Sequence, residues 1–325
     1  MIYGLLRWIT GIALHWFYSD IHVVGEERIP AEGPLLIAVN HQNALVDSLI
    51  VGWVVKRRLA MTAKATLADN PFIALLFRLI GVVSLRRASD EIDKRNGLAL
   101  DRARNTGAFR EIIKLLDHRR AVLIFPEGKS HDKVGLEPLK SGLARVALQA
   151  RHEQSIREIR ILPLGLTFED KGTPGSIVGV RVGDAIEMDS WNGRDHTLLT
   201  AEIARRLRSV SEEAGRPVQR IPKTAQRGRQ NAGQDLIALA AGWGRLTHRL
   251  PIRLAREIAV RRSTNADQPA MFTIMFGIGF ALITYAVHLT IIGALVHSLW
   301  IQCLYLAGLL SGAYWAAFEN RARGH

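Results

Sequence analysis

Seven short apolar runs rich in β-branched residues, at 21–24, 35–40, 59–63, 82–85, 121–125, 161–168 and 177–182, set the rhythm of the chain. Between several of them lie stretches whose apolar positions recur at helical spacing, at 48–55, 72–80, 97–116, 139–150 and 196–210. Strand runs alternating with amphipathic helices predict an α/β domain built on a mixed, largely buried β-sheet with flanking helices. Ahead of it, Leu5, Trp8, Ile9, Ile12 and Trp16 share a helical face that Arg7 and His15 break. That stretch is short for a membrane span and lacks a small-residue cleavage site, so it predicts an interfacial helix or an apolar helix packed on the domain.

The C-terminal third changes character twice. Residues 216–268 are basic and broken by Pro217, Pro222, Gly228 and Gly233, then turn helical around 236–260, which predicts a linker followed by a surface-lying or connecting helix. From Met271 to Phe318 no Asp, Glu, Lys or Arg occurs. One helix of that length would run about 72 Å, against a hydrocarbon core of about 30 Å, so two crossings turning near 293–302 are predicted. Arg261 and Arg262 before the pair, with Arg321 and Arg323 after it, place both ends on the cytoplasmic side. The expected organisation is an interfacial helix at 1–20, an α/β domain at 21–215, a basic linker and helix at 216–268, and a transmembrane helical hairpin at 269–320. Such a chain is an integral membrane protein with its α/β domain on the cytoplasmic face.

Composition sharpens this picture in two places. The formal net charge of +13 is concentrated, because residues 216–262 hold eleven Lys or Arg against only Asp235 and Glu257. A polybasic stretch directly before an apolar hairpin faces anionic lipid head groups, and no zinc-finger spacing or RNP-type aromatic motif points to nucleic acid. Cys303 is the one cysteine in the sequence, so an intramolecular disulfide and a cysteine metal cluster are both excluded.

Candidate chemistry lies where the apolar pattern is interrupted. Asn40-His41-Gln42-Asn43-Ala44-Leu45-Val46-Asp47 separates a buried strand run from a helical one. An imidazole titrates near neutral pH, and a carboxylate on its other nitrogen fixes the tautomer and stabilises the cation, so His41 reads as a general base with Asp47 as its orienting partner. On one ideal helix a six-position step would separate them by about 120°, which puts His41 in the turn and Asp47 in the first helical turn, reaching back. Taken alone, the pair fits a capping histidine and a helix-start aspartate better, and only the later motifs reverse that preference.

Three further stretches interrupt the apolar pattern. Gly81 to Arg87 is a glycine turn into a strand ending in Arg86 and Arg87, whose guanidinium forks suit phosphate, or are simply solvated. Phe125-Pro126-Glu127-Gly128-Lys129-Ser130-His131 ends another strand at a turn where Glu127 can bind a hydroxyl or position a basic side chain. Lys129, His131 and Lys140 add donors for phosphate, and the helix opening after Lys140 can supplement them. No further His, Asp or Glu stands at metal-ligand spacing, so no metal is expected. Pro163 and Gly165 interrupt the last apolar strand, marking an edge or a place where something, such as a fatty chain, approaches the backbone; ordinary core strand is the alternative.

These four stretches, in this order, resemble the glycerophospholipid acyltransferase family, the PlsC-like lysophosphatidate and glycerol-phosphate acyltransferases, over residues 21–210. The matching elements are Asn40, His41 and Asp47; Gly81 and Arg87; Phe125 to Gly128; and the proline strand at Pro163. Two features depart from the common pattern: five residues rather than four separate His41 from Asp47, and Lys129, Ser130 and His131 replace the usual Thr-Arg-Ser. Both look more like the branch acting on glycerol 3-phosphate or dihydroxyacetone phosphate.

The resemblance implies a glycerolipid acyltransferase-like fold and direct O-acyl transfer without an acyl-enzyme, in keeping with the lack of a Gly-x-Ser-x-Gly elbow. In that scheme His41 deprotonates the acceptor hydroxyl and Asp47 holds His41. Arg87, with Arg86 and Lys129, holds the acceptor phosphate, while Glu127 and Gly128 position the glycerol. No cofactor is implied beyond acyl-CoA or acyl-ACP as co-substrate; the bilayer, the thioester donor, the glycerol-phosphate acceptor and acyl carrier protein are the expected partners. The expected acceptor is 1-acyl-glycerol 3-phosphate, with glycerol 3-phosphate or dihydroxyacetone phosphate as the alternative. Outside this chemistry, a catalytically silent lipid-binding protein and a hydrolase using the same pair to activate water remain the competing classes.

Overall fold

The computed structural model of the protein describes residues 2–64, 83–85, 106–131, 135–214, 232–263 and 268–322. The helical stretch read at 72–80, the first part of the one at 97–116, Gly81, Arg86, Arg87 and most of the basic linker lie outside the described residues. An eight-stranded sheet carries the fold, with strands β1 (Asp20–Val24), β2 (Leu35–Val39), β3 (Leu59–Lys64), β4 (Val83–Leu85), β5 (Ala121–Ile124), β6 (Arg160–Phe168), β7 (Ile177–Val182) and β8 (Ile186–Glu187). They lie in the order β1-β7-β6-β2-β5-β3-β4, with β8 pairing on β6. β6, β2, β5, β3 and β4 run parallel to one another and β1 runs parallel to β7, whereas β7 and β8 pair with β6 antiparallel. The sheet is therefore mixed, and all seven apolar runs read from the pattern fall on its strands; β8, two residues long, leaves no such mark.

Continuous apolar runs are what a strand covered on both faces requires. Every residue of β2 and of β5 is buried. Alternate side chains divide between two core layers, Leu35, Ile37 and Val39 facing one way, Leu36 and Ala38 the other. The first layer is covered by α1 (Ile2–Phe17) and α2 (Ala44–Val54), the second by α3 (Thr106–Asp117), α4 (Gly142–His152) and α5 (His196–Ala214). α4 starts three residues later than the periodicity predicts, and the Lys140 N–H just before it donates to the Pro126 carbonyl, 2.7 Å away.

The edge reading of the Pro163 and Gly165 strand is overturned. β6 is flanked by β2 on one side and by β7 and β8 on the other, so it is interior. A Cβ on Gly165 would sit 2.6 Å from the Val210 carbonyl oxygen. What approaches the backbone there is the protein's own α5, and the missing side chain admits it.

Three more helices complete the described chain: α6 (Ala232–Arg262), α7 (Gln268–Leu295) and α8 (Leu299–Ala322). α7 and the first 20 residues of α8 are long and apolar enough to cross a membrane, with mean hydropathies of 2.0 and 1.3, and residues 296–298 join them. Their outer ends expose large apolar side chains, Leu295, Leu299 and Trp300 each more than 70% accessible, as lipid-facing surface does. α6 meets α8 backbone to backbone: a Cβ on Gly244 would lie 1.9 Å from the Gly312 carbonyl oxygen, a small-residue crossing suited to helices in lipid. The hairpin is not a detached appendage. Ala270 and Ile274 of α7 belong to the same buried cluster as Leu14, Phe17 and Val39.

Candidate active site

Adjacent parallel strands β2 and β5 deliver their C-terminal loops side by side, and β6 brings a third loop from the other flank of β2. At the end of β2, Asn40 uses its side chain as a strand would: Nδ2 donates to the Leu166 carbonyl at 2.9 Å and Oδ1 accepts from the Leu166 N–H at 2.7 Å. This clamps the β2 end to β6 and fixes where the next residue, His41, must start.

His41 sits in the turn and Asp47 in the first turn of α2, and the two meet. His41 Nδ1 lies 2.9 Å from Asp47 Oδ2. The same oxygen accepts the Gln42 and Asn43 backbone N–H groups, each at 2.8 Å. One oxygen of this fully buried carboxylate thus accepts from one imidazole and two peptides at a helix N-terminus, where negative charge is favoured, while Oδ1 is buried with no hydrogen-bond partner among the described residues. A carboxylate accepts only, so Nδ1 carries the proton and Nε2 presents its lone pair. Among the described residues Nε2 has no hydrogen-bond partner. Phe125 stacks on the imidazole with centroids 4.0 Å apart and planes 16° from parallel, which holds the ring's orientation. The turn that brings His41 back over α2 passes through Ala44 at φ 44°, a left-handed conformation that costs a non-glycine residue about 1–2 kcal/mol.

Glu127, at the turn after β5, is 2% exposed and has both oxygens committed inside the protein. Oε1 accepts the His41 backbone N–H at 2.7 Å. Oε2 accepts the Glu137 N–H at 2.7 Å and His131 Nε2 at 2.5 Å. The His131 N–H in turn donates to the His41 carbonyl at 3.2 Å, so the loops after β2 and β5 are sewn together through one carboxylate and one peptide contact. Gly128 takes φ 78°, and where its Cβ would stand the Lys140 stem passes at 3.6 Å. Lys129 and Lys140 are both exposed, and Ser130 is half-buried on the same turn.

Of the residues singled out in the sequence, His41, Asp47, Glu127, Gly128 and His131 therefore gather in one place, with Lys140 lying over Gly128. Arg86 and Arg87 lie outside the described residues. Among the described residues no three His, Cys, Asp or Glu side chains are arranged to hold a metal ion.

Two participants carry no local motif. Lys171, on the loop after β6, donates from Nζ to the Gln42 carbonyl at 3.1 Å and the His131 carbonyl at 3.5 Å. Its own carbonyl accepts the Tyr18 hydroxyl at 3.2 Å and Asn43 Nδ2 at 3.1 Å. The loop is itself fixed by Asp170, which accepts the Gly172 and Thr173 N–H groups and the Thr173 hydroxyl; that hydroxyl and those peptides hold its carboxyl below the usual range. Tyr18, at the end of α1, takes Asn43 Nδ2 on its hydroxyl at 2.9 Å. Burial, and then the Asp47 charge, push the Tyr18 phenol well up, so it stays a protonated donor. Neither residue is legible in sequence, because the loops they join are 128 and 25 positions away from Asn43.

Residues 20–167 match the acyltransferase family. Two yeast proteins are similar over parts of the chain: glycerol-3-phosphate O-acyltransferase 1 of Saccharomyces cerevisiae, 24% identical over 58% of this chain and 35% of its own length, and glycerol-3-phosphate O-acyltransferase 2 of the same organism, 30% identical over 34% and 16%. The chain thus spans about a third or less of the length of these relatives. Among solved structures, the crystal structure of the 1-acyl-sn-glycerophosphate acyltransferase PlsC from Thermotoga maritima superposes with a TM-score of 0.50 at 21% identity, covering 66% of this chain and 80% of that one, a likeness of fold.

Proposed function

We propose that this chain, whose residues 20–167 match the acyltransferase family, transfers a fatty acyl group from a thioester to a hydroxyl of a glycerol phosphate at the membrane surface. The observation that carries this reading is the His41–Asp47 contact of 2.9 Å, which leaves Nε2 of a ring-stacked imidazole unpartnered among the described residues. The acceptor hydroxyl gives its proton to His41 Nε2 while its oxygen attacks the thioester carbonyl. Asp47 stabilises the imidazolium so formed. As the tetrahedral intermediate collapses, the carbon–sulfur bond breaks and the thiolate recovers the proton from His41. No serine or cysteine nucleophile is needed, because the acceptor oxygen is itself the nucleophile.

Glu127 serves this scheme as a positioning residue, with both oxygens holding the His41 and His131 loops rather than the glycerol. Lys129 and Lys140, exposed beside Gly128, supply cations for the acceptor phosphate together with Arg86 and Arg87. The names of the yeast relatives and the five-residue interval between His41 and Asp47 favour glycerol 3-phosphate over 1-acyl-glycerol 3-phosphate as the acceptor. The donor is acyl-CoA or acyl-ACP, and α7 and α8 anchor the chain with the catalytic layer on the cytoplasmic face.

The test is an acceptor screen on the full chain in lipid discs with one radiolabelled palmitoyl thioester, carried on coenzyme A and on acyl carrier protein in parallel. Esterified glycerol 3-phosphate is expected, and a His41→Ala protein is expected to form none. Full activity in His41→Ala would remove the mechanism, and free palmitate exceeding ester at saturating acceptor would make the protein a hydrolase.

A further inference from the structure

α6 carries three different faces. Ala241, Gly244, His248 and Ala255 are buried, and the last three meet the hairpin. Leu236, Leu239, Trp243, Leu246 and Leu250, three and four positions apart, are all exposed, the leucines by 65% or more. Arg245, Arg249, Arg253 and Arg256 make a third row, also exposed, which the helical period sets about 100° from either of the others. A helix in water does not bare such an apolar row, and a helix across a bilayer does not line up four arginines. A helix lying in the interface does both.

The position of α6 beside the hairpin is fixed by polar contacts. His248 donates from Nδ1 to the Gly244 carbonyl at 2.8 Å and takes the Tyr285 hydroxyl on Nε2 at 2.6 Å. Further along α6, the Ala255 Cβ stands 3.9 Å from where a Cβ on Gly277 would be, so α6 runs antiparallel to α7. Tyr305 of α8 closes the third side, with its hydroxyl 2.9 Å from His288 Nδ1 and its ring edge-on to Trp243. Trp243, His288 and Tyr305 are therefore level. From there, Asp235 on α6 and Val296 at the end of α7 are each eight positions on, or about 12 Å at the helical rise. The start of α6 is level with the turn of the hairpin.

That placement bears on whether the hairpin crosses a bilayer. α5 ends at Ala214 in the α/β domain, and residues 215–231, which lead to α6, hold five Lys or Arg, no acid, and both Pro217 and Pro222. With the turn on the far side of the bilayer, the start of α6 would be there too. The linker would then have to carry five cations through hydrocarbon in a sequence broken by prolines, and α6 would have to carry four arginines back. The base of α7 adds to the mismatch, since Ala270 and Ile274 are spent in the core of the α/β domain. We infer that α6, α7 and α8 lie in the plane of one leaflet, with the turn at 296–298 on the same side as the α/β domain, the leucine row among the acyl chains and the arginine row against the phosphates of anionic lipids. The inference concerns lipid and not the reaction, so it stands apart from the acyltransferase reading.

The full chain, added from detergent to sealed vesicles, tests it. Cys303→Ser removes the one native thiol, and single cysteines at Leu239 or Leu250, both exposed, then carry a bimane label. Against lipids with nitroxides at graded positions the two labels should report the same depth, whereas an α6 that crossed would separate them by about 16 Å. His297→Cys should react with a membrane-impermeant maleimide from outside, as Asp184→Cys does from its 82% exposed site on the α/β domain. Unequal depths along α6, or a His297→Cys thiol reached only from the lumen or from neither side, would overturn the inference. Labels that no nitroxide quenches, with Leu239→Cys forming a disulfide between two chains, would give the leucine row to a second copy and overturn it as well. Replacing Arg245 and Arg249 by Gln should lower the preference for phosphatidylglycerol over phosphatidylcholine vesicles by about 25-fold, and an unchanged preference would overturn the assignment of the arginine row to phosphates.

Discussion

Replacing Asp47 by Asn separates a catalytic carboxylate from a helix-start residue. The substitution keeps the shape and one acceptor oxygen. That oxygen can go on accepting the Gln42 and Asn43 N–H groups and His41 Nδ1, now all on Oδ2. The tautomer of His41 is thereby preserved and only the charge beside the imidazolium is lost. The smallest effect is the difference between a charge-assisted and a neutral hydrogen bond, about 2 kcal/mol. The largest is the Coulomb energy of a unit pair 2.9 Å apart at an effective dielectric of 20, about 6 kcal/mol. At about 1.4 kcal/mol per decade, kcat is expected to fall by about thirtyfold to 10⁴-fold, while KM for either substrate changes little. The new amide N–H would stand where Oδ1 is now, buried and without a partner, and costs about 1–3 kcal/mol of stability. Initial rates against acceptor and donor, with thermal unfolding of the same preparations, separate the two losses. If the Asp47→Asn protein turned over within about threefold of the parent once its folded fraction was counted, the carboxylate would be only a helix cap and the mechanism would have no cation stabiliser.

The same reasoning gives three further expectations. Glu127→Gln places an amide NH2 opposite donors that now share two carboxylate oxygens, so unfolding should become easier by about 2 kcal/mol or more; a residue that merely touched glycerol would raise KM and leave the melting temperature alone. Lys171→Met removes the ammonium that bridges the Gln42 and His131 carbonyls, and kcat should drop about tenfold with partial recovery in Lys171→Arg, read from initial rates at saturating substrate. Glu202, forked on Arg205 and also bonded to Arg206, has its carboxyl held down to about 2 from an ordinary 4.5, chiefly by the Arg205 hydrogen bonds. A depressed acid contributes fully above its unfolded value and loses its contribution as pH falls from about 4.5 through about 2. With Arg205 68% exposed, screening limits that contribution to about 1 kcal/mol, so Glu202→Gln should lower stability by that amount at pH 7 and by nothing near pH 2 in denaturant titrations.

What the sequence made legible follows from where each structural cause resides. The inner strands are buried on both faces and so appear as unbroken apolar runs, while β8, with two residues, has no pattern to show. His41 and Asp47 are close in sequence, and a histidine just before a helix lies within reach of a carboxylate in its first turn, although the left-handed Ala44 that closes the turn is not legible there. Glu127 is different. Its type and its turn are visible, but that its oxygens accept from His41 and His131 depends on β5 lying next to β2, 86 positions apart at the point of contact. Strand order likewise decides the meaning of Gly165: the same residue marks an edge in one topology and a helix seat in another, and only the placement of β6 between β2 and β7 settles which.

That dependence on placement extends to the membrane. α1 exposes Leu5 and Trp8 at one end and ends at Tyr18, which is fully buried and bonded to Asn43. Its course between those ends is fixed by the hairpin, through the Trp8–Tyr314 stack and the Trp16 bond to the Ala313 carbonyl. The backbone just after α1 is tied to the loop that carries Lys171, where the Ser19 N–H meets the Ser176 carbonyl and the Gly175 N–H meets the Phe17 carbonyl. A displacement of α7 and α8 therefore cannot be absorbed by α1 alone. It must either break these bonds or move Asn43 and Lys171, both of which hold the turn containing His41. The anchoring helices are in this sense part of the frame that positions the imidazole, and His41 should hold its geometry best when they are seated in lipid.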